Sequence, residues 1–329
     1  MSAGLPKSTW RKLSRAMSDG DISVVGAGMA GLLTAAMLRS ECAAVYERQP
    51  SLPNNHNSLL RFRTHSVGDV LNINFKPVQV NKCIEPWRNP VADALSYSRK
   101  TTGGYYARSI THSAMNTQQR YIAPPDLIKR MRMAVSAPVE FNAELSEEDW
   151  KIGYAPIIST IPMPMLMDIL GYSGAKPDFE SHSQMVLRFK LSDSCAYSTV
   201  YLPDPIAQFS RVSITGDLVI AELSHQCSPR SCETLQDDVR EACSVLGVDY
   251  EYVVGDPVYR TQPYGKIVAI EESVRKRFML WATEQYSIYS IGRYATWRPG
   301  LLLDDVVNDI RVVHRMIRSG STYEQRKPK

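Results

Sequence analysis

At 329 residues, with 44% hydrophobic and 22% charged side chains, the chain can bury a sizeable core as one large or two closely joined domains. No apolar run approaches the ~20 residues of a membrane helix, and the first twenty residues lack the apolar stretch of a secretory signal, so a cytoplasmic protein without a membrane segment is expected. The six cysteines are scattered; only Cys227 and Cys232 lie close, without a second pair or flanking histidines, so neither a disulfide framework nor a metal site is expected.

In chain order, residues 1–19 read as a flexible basic arm carrying Lys7, Arg11, Lys12 and Arg15. Ile22 to Val25 is a short β-branched strand, followed by Gly26-Ala27-Gly28-Met29-Ala30-Gly31 and an apolar helix through Leu38. A second strand, Ala43 to Tyr46, ends on Glu47-Arg48. The stretch from His56 to Pro125 shows no clear periodicity, and its portion from Leu60 to Arg132 holds twelve Lys or Arg against four acids. Such a local excess either attracts an anion or is a solvated face balanced by acids elsewhere.

Helical signals return from Pro124 to Ala134, and Pro138 to Asn142 reads as a short strand. Ile157 to Pro162 reads as a buried strand stopped by proline, with a helix from Pro164 to Leu170 that Gly171 ends. Alternation between Met185 and Leu223 predicts an antiparallel sheet, and Cys232 to Leu246 an amphipathic helix. Tyr286 to Ile291 is a strand running into Gly292-Arg293, and Leu301 to Ile317 is the final helix.

The strand, glycine turn and helix have a physical reading. Gly26 permits the tight turn, Gly28 lets a pyrophosphate approach the backbone, and Gly31 lets helix pack on strand. The N–H groups of the first helical turn, at Met29 and Ala30, then face the phosphates, and Glu47 is placed to accept from a ribose hydroxyl.

Gly-Ala-Gly-Met-Ala-Gly-Leu followed by Val-Tyr-Glu-Arg resembles the FAD site of the glutathione-reductase-like flavoproteins, and also looks like the amine oxidases and UDP-galactopyranose mutase. That resemblance implies an α/β fold: a Rossmann-type FAD domain (20–55, 126–175 and 256–318) and a smaller mixed α+β substrate domain with an antiparallel sheet (56–125 and 176–255), with 319–329 as a basic tail. It further implies non-covalent FAD, with Val139 on the strand that meets the adenine, Gly292 and Arg293 by the ribityl and pyrophosphate, and Leu301 and Leu302 opening a helix aimed at the flavin. Arg48 and Arg61 are further cofactor candidates, Arg61 for the pyrophosphate.

The block from His56 to Arg63 with His65, and Tyr97 to Gly103, looks like compact bacteriophage flavoenzymes, some of which act in thymine hypermodification. From this come the expected activity, oxidation of a C–N bond in an amine or amino-acid group, and an anionic small-molecule or modified-DNA substrate with a weak DNA contact through residues 60–132. His65 and His56 are candidate bases, Arg298 a catalytic clamp, and Arg63, Arg108, Tyr264 and Trp297 candidate substrate contacts, with Tyr259 and Tyr294 completing an aromatic wall. Two other readings stay open: mutase-like flavin chemistry on a nucleotide sugar without net redox change, and a non-catalytic FAD- or DNA-binding module.

Overall fold

The computed structural model describes residues 22–53, 60–105, 110, 115–151, 155–224 and 232–320. The expected basic arm and tail, and His56 and Arg108, lie outside them.

The chain opens with β1 (Ile22–Val25), α1 (Met29–Leu38) and β2 (Cys42–Tyr46), then passes through β3 (Arg61–Phe62), α2 (Ser66–Leu71), β4 (Lys76–Ile84), α3 (Pro90–Thr102) and β5 (Gln118–Ile122). Next come α4 (Leu127–Ala134), β6 (Val139–Glu140), α5 (Glu147–Lys151), β7 (Ile157–Ser159) and α6 (Met163–Ile169). The strands β8 (Ser181–Leu191), β9 (Ala196–Tyr201), β10 (Phe209–Gly216) and β11 (Leu218–Leu223) lead to α7 (Cys232–Leu246) and β12 (Val253–Ile267). The chain closes with α8 (Glu272–Tyr286), β13 (Ile288–Ser290) and α9 (Leu303–Ser319).

Five strands form a parallel sheet in the order β13-β7-β1-β2-β6. All four residues of β1 are buried, as a central parallel strand covered on both faces demands. One face is covered by α1, α2, α4 and α9 through Leu32, Leu33, Val67, Met131 and Ile310. The other is covered by α5, α6 and α8 through Trp150, Met163, Leu166 and Phe278. Helix α1 is apolar nearly all round because it lies between the sheet and α9.

The second sheet has eight strands in the order β12-β8-β11-β10-β9-β4-β5-β3, antiparallel except where β4 runs parallel to β9. It is the larger of the two sheets. One face carries Leu187, Phe189, Val212 and Val219 against Val239, Ala242 and Cys243 of α7. Thr199, Ser213 and Arg211, at positions two residues apart or directly paired, share the opposite, polar face.

Two expectations change. Among its described residues, the stretch from His56 to Pro125 contains three strands and two helices; in β4 the buried residues Val78, Val80 and Ile84 alternate correctly, but Lys82 occupies the same set and hides the period. The expected return to the cofactor domain at residue 256 falls inside β12, whose pairing with β8 continues to Ile267. A strand is a cooperative ladder, so β12 as a whole belongs to the second sheet.

Candidate functional site

The glycine turn is built by close approach. Gly26 adopts φ +95°, and a Cβ there would stand 2.4 Å from Thr160 Oγ1; a Cβ on Gly31 would stand 1.8 Å from the Gly26 carbonyl oxygen. Thr160, at the end of β7, donates to the carbonyls of Val25 (2.9 Å) and Gly26 (3.1 Å) and so clamps the turn from below. Gly28 is different: it is exposed at φ −65°, and a Cβ there would meet nothing within 4 Å. The room above Gly28 is what an approaching phosphate requires.

Helix α1 starts directly after Gly28, with no side-chain cap and no acid in its first turn. The N–H groups of Met29, Ala30 and Gly31 thus meet no capping side chain, at the positive end of the helix dipole. Glu47 closes one flank: its Oε2 accepts from Ala27 N at 2.7 Å and its Oε1 from Gln49 N at 2.8 Å. Both carboxylate oxygens are thereby held at the rim, each retaining lone-pair capacity for a hydroxyl.

Gly292 brings the end of β13 to the same place. It sits at φ +97°, and a Cβ on it would lie 2.9 Å from Ala30 Cβ in the first turn of α1. The next residue, Arg293, has a guanidinium whose Nε and Nη2 are buried and make no hydrogen bond. Burial pushes its pKa down, an effect the nearby Tyr294 and Glu222 oppose. An uncompensated buried cation is costly, and it fits an anionic group that completes its shell. Uncapped helix N-terminus, open Gly28, oriented Glu47 and Arg293 therefore fit a dinucleotide.

Of the other expected cofactor contacts, Val139 stays next to the cradle: the carbonyl of its neighbour Glu140 accepts from Glu47 N at 2.8 Å. Val139 lies on the edge strand β6, paired with Val45 on one side. Arg48 is exposed. Leu301 is buried and Leu302 exposed, and α9 starts at Leu303, two residues later than expected. Its first turn holds Asp304, which accepts from the N–H groups of Arg63 (3.1 Å) and Thr64 (3.0 Å), and Asp305, which accepts from Leu302 N at 2.9 Å. These two carboxylates offset the helix dipole that the sequence placed at the flavin.

Several expected residues serve the fold instead. His65 is not positioned as a base: its Nε2 accepts from Phe75 N at 3.0 Å and its Nδ1 meets Asp69 Oδ1 at 2.7 Å, so both ring nitrogens are engaged. Arg61, expected at the pyrophosphate, spends its donors within the protein: it donates to Thr215 Oγ1 (2.9 Å), Thr199 Oγ1 (2.7 Å) and the carbonyls of Ser198 (2.9 Å) and Ile214, pinning β3 across the second sheet. Arg63 forms a two-pronged pair with Asp305. Arg298 pairs with Asp309 and donates to Thr296 Oγ1 at 3.1 Å.

The aromatic wall is not assembled among the described side chains. Trp297 is buried, donates from Nε1 to the Val268 carbonyl at 2.9 Å, and packs edge-on to Phe179. Tyr259 donates to Asp238 and packs with the core on the α7 side, Tyr294 packs in the core beneath the parallel sheet, and the Tyr264 side chain lies outside the described residues. Arg298, Trp297 and Leu301 do line a cleft of about 630 Å³ with Arg275 and Asp309. Neither Arg293 nor the glycine turn lines it, so it is separate from the dinucleotide cradle.

Sequence reasoning missed the polar face of the second sheet. Arg211 on β10 is largely buried against Glu222 on β11, which also meets Lys266 at 3.3 Å. Burial alone would raise the Glu222 carboxyl, but Arg211 and Lys266 outweigh it and hold it well below the usual carboxylate range. On the same face Lys82 donates to Gln118 Oε1 at 2.9 Å, and Arg120 donates to that same oxygen and to the Gln119 carbonyl at 2.7 Å. The inward position of Lys82 within the alternation of β4 was the available signal.

No protein-family model matches this chain, and no curated protein matches it. Solved structures do. Reduced UDP-galactopyranose mutase shares 12% identity at a TM-score of 0.66, over 92% of this chain and 95% of that one. A fatty acid isomerase from P. acnes shares 12% at 0.57, over 91% and 99%, and an oxidoreductase from Methanosarcina mazei shares 11% at 0.57, over 90% and 100%. At this identity the likeness establishes architecture: the chain has the α/β fold of these proteins, a Rossmann-type parallel sheet joined to a second, mixed sheet.

Proposed function

We propose that the chain is an FAD-dependent oxidoreductase that holds its cofactor non-covalently between the glycine turn, Glu47 and Arg293. The observation that carries this reading is the Arg293 guanidinium, buried with two unpartnered nitrogens beside a glycine in contact with the first turn of α1. The expected match of Gly292-Arg293 to the last strand of the flavoproteins coincides with that geometry. When bound, FAD would supply the hydride acceptor for oxidation of a C–N bond in an amine or amino-acid group, with the two electrons passing on to oxygen to give peroxide and water hydrolysing the imine to a carbonyl and a free amine.

The protein's own part is binding and charge. The α1 N-terminus and Arg293 neutralise the pyrophosphate, and Glu47 orients the adenosine ribose. The substrate is a small anion in preference to modified DNA, because among the described residues the basic stretch is broken by acids: Arg63, Arg88 and Arg130 pair with Asp305, Asp204 and Asp126, and Lys100 is buried on three backbone carbonyls.

The test is the absorption spectrum of the purified protein, followed by anaerobic titration with amines and amino acids. A flavin spectrum bleached by one of them is the expected result; a colourless protein that takes up no added FAD overturns the proposal. A second reading, flavin chemistry on a nucleotide sugar without net redox change, is favoured by the cations Lys82 and Arg120, which suit a diphosphate. Oxygen consumption with peroxide release during turnover separates the two, since the proposed oxidation passes its electrons to oxygen whereas the non-redox reaction needs only prior reduction of the flavin.

A further inference from the structure

Four cations converge on the polar face of the second sheet from neighbouring strands. Lys82 pairs with Thr199, which pairs with Ser213, two residues from Arg211; Arg120 pairs with Val78, four residues from Lys82; and Arg61 pairs with Ile122, two residues from Arg120. Because directly paired residues and residues two apart share a face, all four side chains stand on the same side of the sheet. It is the side away from α7, where Val78, Val80 and Ile84 are buried.

Their compensation is uneven. Arg211 has Glu222, and burial, which alone would lower its pKa, is outweighed by that carboxylate. Arg61, Lys82 and Arg120 are held only by neutral oxygens: threonine hydroxyls, backbone carbonyls and the single amide oxygen of Gln118, which Lys82 and Arg120 share. Burial and the three surrounding guanidiniums push the Lys82 ammonium down to about 8. The acid nearest Arg120 is Asp304 at the start of α9, already bonded to Arg63 and Thr64. Arg120 uses its donors on one glutamine oxygen and one carbonyl, and Lys82 uses one of its ammonium hydrogens. Two like charges meeting on a neutral acceptor form a site whose missing partner is an anion.

Two contacts tie the cluster's strands toward the cofactor half of the chain: Asp304 in the first turn of α9 accepts from the N–H groups of Arg63 and Thr64, directly after β3, and Glu222, paired to Arg211 on this face, lies within electrostatic reach of Arg293. We propose that Lys82 and Arg120 form the subsite for an anionic group of the substrate, a phosphate or a carboxylate, with Arg61 and Arg211 as fixed positive walls. This names the substrate class for the flavoenzyme reading and rests on that reading for the assignment to a substrate; the anion site itself does not.

The experiment first incubates the protein with FAD to read uptake, then titrates it, with and without FAD, with inorganic phosphate and, separately, with acetate, following heat of binding and, where FAD is bound, the flavin difference spectrum. The wild-type chain binds one anion, and K82M and R120M each weaken binding roughly tenfold or more, while K82R keeps it. R130M, which removes an exposed ion pair with Asp126, leaves binding unchanged. Circular dichroism confirms that the variants fold. Tighter binding of phosphate than acetate assigns a phosphoryl group, and the reverse a carboxylate. Wild-type affinity in both K82M and R120M, or no binding of either anion, overturns the subsite. A protein that binds anions through Lys82 but takes up no FAD keeps the subsite and defeats the flavoenzyme reading; one that takes up FAD but binds no anion does the opposite.

Discussion

A Cβ on Gly31 would stand 1.8 Å from the carbonyl oxygen of Gly26, whereas a Cβ on Gly28, between them, would touch nothing within 4 Å. The two glycines thus answer to different demands, one internal and one external. We expect Gly31→Ala to force the turn apart and destabilise the FAD-free protein by about 3 kcal/mol or more. Gly28→Ala, at a φ of −65° that alanine adopts freely, leaves the unfolding midpoint unchanged and weakens FAD binding. Thermal unfolding without FAD, alongside FAD titration, measures both; equal destabilisation by the two substitutions contradicts the assignment.

Arg293 gives an opposite pairing of stability and affinity. Its buried Nε and Nη2 have no acceptor, so the guanidinium is a burden until an anion arrives. We expect Arg293→Met to leave the FAD-free protein as stable or more stable, while FAD affinity falls by ~2 kcal/mol, roughly thirtyfold. A loss of stability without FAD, at unchanged FAD affinity, rejects the role.

His65 accepts from the Phe75 N–H and packs edge-on against Phe75 and Tyr121, both at centroid distances of 5.6 Å. Its removal leaves that N–H without an acceptor. We expect His65→Ala to cost about 1 to 3 kcal/mol of folding stability and to leave turnover intact at a temperature where the variant is folded. Turnover abolished in a fully folded variant would restore the histidine as a base.

Lys82 makes stability depend on pH in a defined direction. Its ammonium, with a free value of 10.5, is held down to about 8, so the unfolded chain binds more protons across that window. Stability contributed by this group is therefore reduced below about pH 8 and rises as pH climbs toward 10.5. Arg61, though pushed down by burial and by Arg211, keeps its charge because guanidinium does not deprotonate in proteins. Denaturant unfolding at several pH values in this range, compared between wild type and K82M, isolates the effect: the rise is smaller in K82M. Parallel curves remove Lys82 from the cluster.

Four strands of the parallel sheet, β1, β2, β7 and β13, were legible from residues because each is short, largely apolar and soon followed by a change of pattern: Gly26 after Val25, the charged Glu47-Arg48 after Tyr46, Pro162 three residues past Ser159 and Gly292 two past Ser290. The second sheet was half legible. Met185 to Leu223 alternates cleanly because its α7-facing residues are apolar, whereas β4 and β5 carry Lys82, Gln118 and Arg120 among their inward positions. A charged side chain facing inward reads, in one dimension, as a solvated one.

The sequence by itself determined the glycine turn, the acid that closes it and the Gly-Arg pair, since each depends on backbone geometry or on a neighbour a few residues away. Only the tertiary structure decided what the histidine and the arginines do. His65 is committed to Phe75, ten residues on; Arg61 to Thr215 and Arg298 to Asp309; and Arg293 alone among these arginines keeps buried nitrogens unpartnered among the described residues. A polar side chain's role depends on which acceptor lies within about 3 Å, and in this fold those acceptors come from strands and helices distant in sequence.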